Sequence, residues 1–161
     1  MERDITSFVH EELKTREQLV EFTDNRPRNV RCVHPLVTLV EKLDALRHKV
    51  PNASCEASGF VRHFEDSARI IQAEEELPPL GEGYPDVRIL AQEMLAQKQI
   101  RELAGPADEA FALADGERTD SIRGAFRAIR GLYWGPRMTL DDACRSIRDW
   151  LGERFPQAGG T

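Results

Sequence analysis

The sequence predicts a mainly α-helical protein, with five or six helices and at most a short strand pair. Apolar residues recur every three or four positions in one stretch after another, while Pro, Gly, Asn and Asp gather between the stretches. Only the short segment Asn29 to His34 alternates. The 161 residues amount to roughly one domain at ~150 residues each. With 40% hydrophobic and 31% charged residues, the composition is that of a soluble globular chain able to bury a core.

The elements follow in order. Ile5, Phe8, Val9, Leu13, Leu19, Val20 and Phe22 fall loosely at helical spacing and predict an amphipathic helix from Ile5 to Phe22, ending before Asp24-Asn25-Arg26-Pro27. Val30 and Cys32, alternating with Asn29 and Arg31, suggest a short strand. Pro35 suits a first helical turn, and Leu36, Leu39, Val40, Leu43 and Leu46 then form a regular stripe that should stop near Val50-Pro51-Asn52. A second strong helix is expected from Phe60 to Glu75, burying Phe64, Ser67, Ile70 and Ile71, with Glu74-Glu75-Glu76 as a solvated end.

Pro78 to Pro85 (PPLGEGYP) has too many breakers for regular structure and reads as a linker or long loop. It divides an N-terminal helical part, 1–77, from a C-terminal one, 87–156, with the linker itself at 78–86. Beyond it, Val87, Leu90, Ala91, Met94, Leu95 and Ile100 predict a helix from Asp86 to Leu103, closed by Gly105-Pro106. Ile122, Phe126, Ile129 and Tyr133 predict another from Asp120 to Tyr133. Thr139 reads as an N-cap for a last helix whose apolar face is Leu140, Ala143, Cys144, Ile147, Trp150, Leu151 and Phe155. The tail 157–161 is expected to be disordered.

No run approaches the ~18 apolar residues of a membrane span, and Met1-Glu2-Arg3-Asp4-Ile5 lacks the basic and apolar regions of a signal peptide, so the chain reads as cytoplasmic. Cys32, Cys55 and Cys144 form no C-x-x-C pair and read as reduced thiols. The formal charge of −6 disfavours nucleic-acid binding through the whole surface and leaves only local basic patches. His10, His34, His48 and His63 make no zinc spacing; His63 and Asp66 are three apart on one helix, which alone is a weak metal signal. The nucleophile-elbow, phosphate-loop and dinucleotide fingerprints are absent from the sequence, and Gly81-Glu82-Gly83 does not open a helix.

Two patterns remain. At ~100° per residue, Lys42 lies one step outside the Leu39-Leu43-Leu46 stripe, and Asp66 stands in the same relation to the apolar face of its helix. If the two faces pack together, an ammonium and a carboxylate meet at the rim of the core, either as a border salt bridge or as groups able to hold phosphate and move a proton. Arg123, Arg127 and Arg130, at i, i+4 and i+7, share one helix face suited to phosphates or simply to solvent. Arg26, Arg28 and Arg31 form a second small basic cluster.

The order Asn25-Arg26-Pro27-Arg28-Asn29-Val30-Arg31, His34-Pro35-Leu36-Val37-Thr38-Leu39-Val40-Glu41-Lys42-Leu43-Asp44-Ala45-Leu46, then Arg62-His63-Phe64-Glu65-Asp66, resembles the downstream half of the AbiEii/AbiGii nucleotidyltransferase toxins. Ala125 to Phe155 is similar to that family's closing helices, so the resemblance spans Asn25 to Arg154. The E-K-L-x-A-L element is fairly specific, whereas R-x-x-x-D alone is weak.

The resemblance implies a helical half that packs on an α/β nucleotidyltransferase core and contributes Lys42 and Asp66 to its catalytic site. Arg62, Arg123, Arg127 and Arg130 are candidate contacts to substrate phosphates. Magnesium and a nucleoside triphosphate are implied only for the complete family enzyme, and transfer RNA is the acceptor in several of its members. The family's glycine turn and paired magnesium-holding carboxylates precede the matching region and have no counterpart here: Asp141-Asp142 and Glu74-Glu75-Glu76 do not follow a glycine turn. The expectation is therefore a C-terminal portion (a fragment, a shortened gene product or half of a split enzyme), inactive alone, whose partner is the missing half or a cognate antitoxin. The alternative is a non-catalytic helical module that engages an antitoxin, a partner chain or itself.

Overall fold

The computed structural model describes residues 2–3, 6, 8–17, 27–28, 30–132 and 136–156. Its contacts divide the chain into two compact units, Met1–His34 and Pro35–Thr161. The described residues are mainly helical, as the periodicity predicts, and no helix among them is long and apolar enough to cross a membrane.

In the first unit, β1 (Glu2–Arg3) pairs antiparallel with β2 (Val30–Arg31), Glu2 opposite Arg31 and Arg3 opposite Val30. Between them, α1 covers Phe8–Thr15. α1 breaks off at Thr15, inside the span expected from Ile5 to Phe22, of which residues 5, 7 and 18–22 lie outside the described residues. Its end has a backbone cause: Glu17 adopts a left-handed conformation at φ 58°, which closes a helix instead of extending it. The expected stop at 24–26 lies outside the described residues.

In the second unit, α2 is Pro35–Lys49, and all five stripe residues, Leu36, Leu39, Val40, Leu43 and Leu46, are buried. A 3-10 turn at Ala57–Gly59 leads into α3 (Arg62–Gln72), which packs against both α2 and α7 (Leu140–Arg154). Because α3 and α7 stand on either side of the Pro78 to Pro85 segment in sequence, that segment is a loop within one unit. The core joins Leu39, Leu46, Phe60, Phe64, Phe111, Ile122, Ile147 and Leu151, all nearly inaccessible to water.

Three expectations need correction. The helix predicted from Asp86 to Leu103 is α4, Val87–Ala96, capped by the Asp86 carboxylate on the amides of Arg88 and Ile89. Lys98 then turns left-handed at φ 59° and the Gln99 amide reaches back to the Met94 carbonyl at 2.8 Å, a reversal usually given to glycine; Ile100 is buried by this turn and not by a continuing helix. The solvated end expected at Glu74 is instead a 3-10 turn in which Glu74 accepts hydrogen bonds from the Trp150 indole at 2.8 Å and from Arg154 at 3.2 Å. A single helical turn, α5 (Glu109–Ala112), buries Phe111 where no element is expected, since four residues carry no readable periodicity. Next comes α6 (Glu117–Ala128), with a 3-10 extension at Ile129–Leu132, and Tyr133 lies outside the described residues. The Thr139 hydroxyl accepts from the Asp142 amide at 3.1 Å, the expected N-cap of α7. The predicted tail, 157–161, is also outside the described residues.

The connection from α4 to α5 is fastened to α2 by polar groups on the flank next to the apolar stripe. Asp44 accepts from the amides of Arg101 and Glu102 at 3.1 and 3.3 Å, and Arg47 donates to the Leu103 carbonyl at 2.8 Å and to Asp108 at 3.0 Å. These bonds satisfy loop amides and carbonyls that would otherwise depend on solvent.

Candidate functional site

Lys42 projects from the exposed shoulder of α2, and α3 presents His63 and Asp66 one turn apart. The packing of α2 on α3 brings the three together: Lys42 Nζ donates to Asp66 Oδ2 at 2.8 Å and lies 3.4 Å from His63 Nδ1. An ammonium group can only donate, so Nδ1 is the acceptor and the remaining imidazole proton is on Nε2. Lys42 is 19% and Asp66 31% exposed, so the pair borders the core without being sealed inside it. Of three ammonium protons, two are directed to Asp66 and His63, which leaves one donor for an anion arriving from solvent.

His63 is pushed down from its usual 6.5 to about 4, first by burial, then by the positive charges of Lys42, Lys49 and Arg62, with Asp66 opposing them. At neutral pH the cluster therefore holds a neutral imidazole beside an ion pair. This donor set does not suit a magnesium ion, which takes six oxygen ligands, because its one carboxylate is paired with an ammonium and its second donor is a nitrogen. Among the described residues no group of three or more His, Cys, Asp or Glu side chains could hold a metal.

Arg62 is exposed beside His63 at the start of α3, with no ion pair or hydrogen bond of its side chain among the described residues. The three arginines of α6 and its 3-10 extension lie elsewhere. Arg123, Arg127 and Arg130 line a cavity of about 680 Å³ formed with the segment Pro136 to Asp141. Arg123 grips Asp141 through two bonds of 2.7 and 2.8 Å. Arg127 and Arg130 have no partner among the described residues. The site residues expected from sequence thus form two sets, one around Lys42 and Asp66 and one on α6. Arg26 lies outside the described residues, and Arg31 is exposed on β2.

One participant, Glu65, escapes the sequence reading, and another, His63, is marked by sequence only as a weak metal partner of Asp66 at i−3, whereas here it accepts from Lys42. Glu65 is wholly buried on α3, where the Val61-Phe64-Ala68 stripe places it, and it pairs with Arg137 at 2.6 Å. Compared with family models, with curated proteins and with solved structures, the chain matches none at a significant level.

Proposed function

We propose that the chain is the helical portion of a nucleotidyltransferase of the AbiEii/AbiGii toxin type, and that it supplies Lys42 and Asp66 to a catalytic site completed by a second, metal-holding half. One observation supports this reading above others: the two residues singled out by the family motifs, 24 positions apart on separate helices, meet at 2.8 Å at a solvent-accessible rim. In this reading the Lys42 ammonium balances phosphate charge on a nucleoside triphosphate. Asp66 keeps that ammonium oriented and accepts a proton when the pair opens. His63, neutral at pH 7, accepts from Lys42 without adding a competing charge.

The metal ions that would neutralise phosphate charge in such a transfer would be held by the other half, since the one carboxylate of this cluster is paired with Lys42. The test is incubation of the pure chain with labelled nucleoside triphosphates, magnesium and total transfer RNA, with and without a nucleotidyltransferase half supplied in trans. The chain alone is expected to incorporate nothing. The reconstituted activity is expected to fall by ~10²-fold or more in K42A and in D66A, the scale of losing one transition-state donor. Incorporation by the chain alone, or reconstituted activity that survives both substitutions, would overturn the proposal. Self-association or antitoxin capture unaffected by either variant, with no transfer on reconstitution, would favour a helical interaction module.

A further inference from the structure

We propose that the cavity between α6 and the segment entering α7 binds a phosphate monoester of nucleotide size, at a site separate from Lys42 and Asp66. The charge arrangement is the first argument. Four guanidinium groups, those of Arg123, Arg127, Arg130 and Arg137, line one cavity of a chain whose net charge is −6. They meet two carboxylates, and each carboxylate is already engaged: Asp141 by Arg123 and buried Glu65 by Arg137. Arg127, in the last turn of α6, and Arg130, in the 3-10 extension that follows, are left as exposed cations with no partner among the described residues. An anion between them removes their mutual repulsion and gains charge-assisted hydrogen bonds, and the planar guanidinium fork matches phosphate oxygens.

Shape is the second argument. The cavity, about 680 Å³, falls within the ~300–1,000 Å³ range of sites that hold a whole small ligand, which is more room than a bare phosphate uses. Its lining divides into the guanidinium groups of Arg123, Arg127, Arg130 and Arg137 and the apolar groups of Phe126, Pro136, Met138 and Leu140. That division fits a ligand with a dianionic end and an apolar or aromatic body. One lining group is held in place from outside the cavity: the Arg137 guanidinium lies 4.6 Å from the Phe126 ring centre and is paired with Glu65. Arg123 is a reserve donor, since its fork opens to the ligand only as Asp141 is given up.

The assignment is independent of the function proposed for Lys42 and Asp66, and calorimetric titration of the full chain with AMP, inorganic phosphate and adenosine tests it alone. AMP is expected to bind, and to bind more tightly than either phosphate or adenosine. The R127A/R130A double variant, altered only at exposed positions and checked for intact helix content, is expected to weaken AMP by about tenfold or more. D141N, which frees the Arg123 fork, is expected to strengthen it several-fold. Absence of AMP binding at millimolar concentration, or equal affinity for AMP and inorganic phosphate, would overturn the proposal. So would loss of AMP binding in K42A with R127A/R130A unaffected, because the nucleotide would then belong to the Lys42–Asp66 cluster.

Discussion

Glu65 of α3 and Arg137, which leads into α7, form an ion pair almost closed to water: Glu65 is 2% and Arg137 11% exposed. Arg137 Nε and Nη2 both donate to Glu65 Oε2, at 2.8 and 2.6 Å, while Nη1 donates to the Phe126 carbonyl at 3.3 Å. One guanidinium group therefore joins α3, α6 and the entry to α7. The second carboxylate oxygen is met by Arg69 at 3.4 Å, from the next turn of α3.

Removing one member of such a pair leaves a charge in a site that cannot hydrate it. E65A is therefore expected to destabilise the protein by about 3–5 kcal/mol in urea unfolding, far more than an exposed pair would cost. Replacing both residues with apolar ones of similar volume, E65L/R137M, is expected to recover most of the loss, because no buried charge then remains unmatched. An E65A variant within about 1 kcal/mol of the wild type would show that water reaches the Arg137 guanidinium freely.

The pair also marks how far the sequence can be read. The sequence points to Phe64, Ser67, Ile70 and Ile71 as the buried face of α3, which leaves Glu65 on the far side; in the structure Phe64, Glu65, Ser67 and Ala68 are buried and Ile70 and Ile71 only half-buried. Neither the burial of Glu65 nor its partner 72 residues away was legible, because no local pattern connects them. The α2 stripe was legible in full, since a helix that buries one face repeats its apolar residues at the helical period. The Lys42–Asp66 contact followed from two shoulder positions on packed helices. By contrast, the end of α4 depends on the left-handed conformation of Lys98, a residue type that gives no compositional warning, and α5 is one turn long. Glu74 reads as solvated within an acidic run, and its indole partner comes from α7.

The pKa of His63 provides a pH signature of the Lys42 cluster. The imidazole titrates at about 4 in the folded protein against 6.5 ordinarily, so between those values the unfolded chain binds a proton that the folded chain refuses. Stability is then expected to fall as pH drops from 6.5 towards 4, and His63 contributes no further slope below that. By NMR titration, K42A should move the His63 pKa upward by removing a cation, and D66A should move it downward by removing an anion. A His63 pKa unchanged in both variants would mean that burial alone sets it.

Cys144 lies on the buried face of α7, and burial pushes its thiol up to about 12, with the negative Asp141 adding to the effect. At pH 8 almost none of it is thiolate, the reactive form. Alkylation followed by mass spectrometry is expected to modify half-buried Cys55 while Cys144 stays protected until the chain unfolds. Equal labelling rates for the two in the folded protein would contradict the packing of α7.

The far end of the helix that carries Lys42 is closed by a side chain from another helix. The last carbonyls of α2 have no partner within the helix, and Arg118 of α6 binds the chain where the helix ends: Nη2 donates to the carbonyl of Lys49, the last helical residue, and to that of Asn52, and Nε to that of Val50, each at 2.9 Å. The guanidinium carbon lies 5.4 Å from the Phe60 ring centre, so the same group is held against the core while its positive charge faces the negative end of the helix dipole. Three carbonyls around one planar fork suit arginine and not lysine, whose single ammonium cannot reach all of them from one position. R118A is accordingly expected to cost about 2–3 kcal/mol, the scale of hydrogen bonds from a charged group, and R118K to recover only part of it. Hydrogen exchange should quicken at the last turn of α2, around Leu46 to Val50. Lys42 should keep its contacts with α3, two turns away, so any change in the His63 titration should come only through Lys49, whose charge lies in the loosened turn. If R118K proves as stable as the wild type, the planar geometry of the fork is not what closes the helix, and charge at the helix end is sufficient.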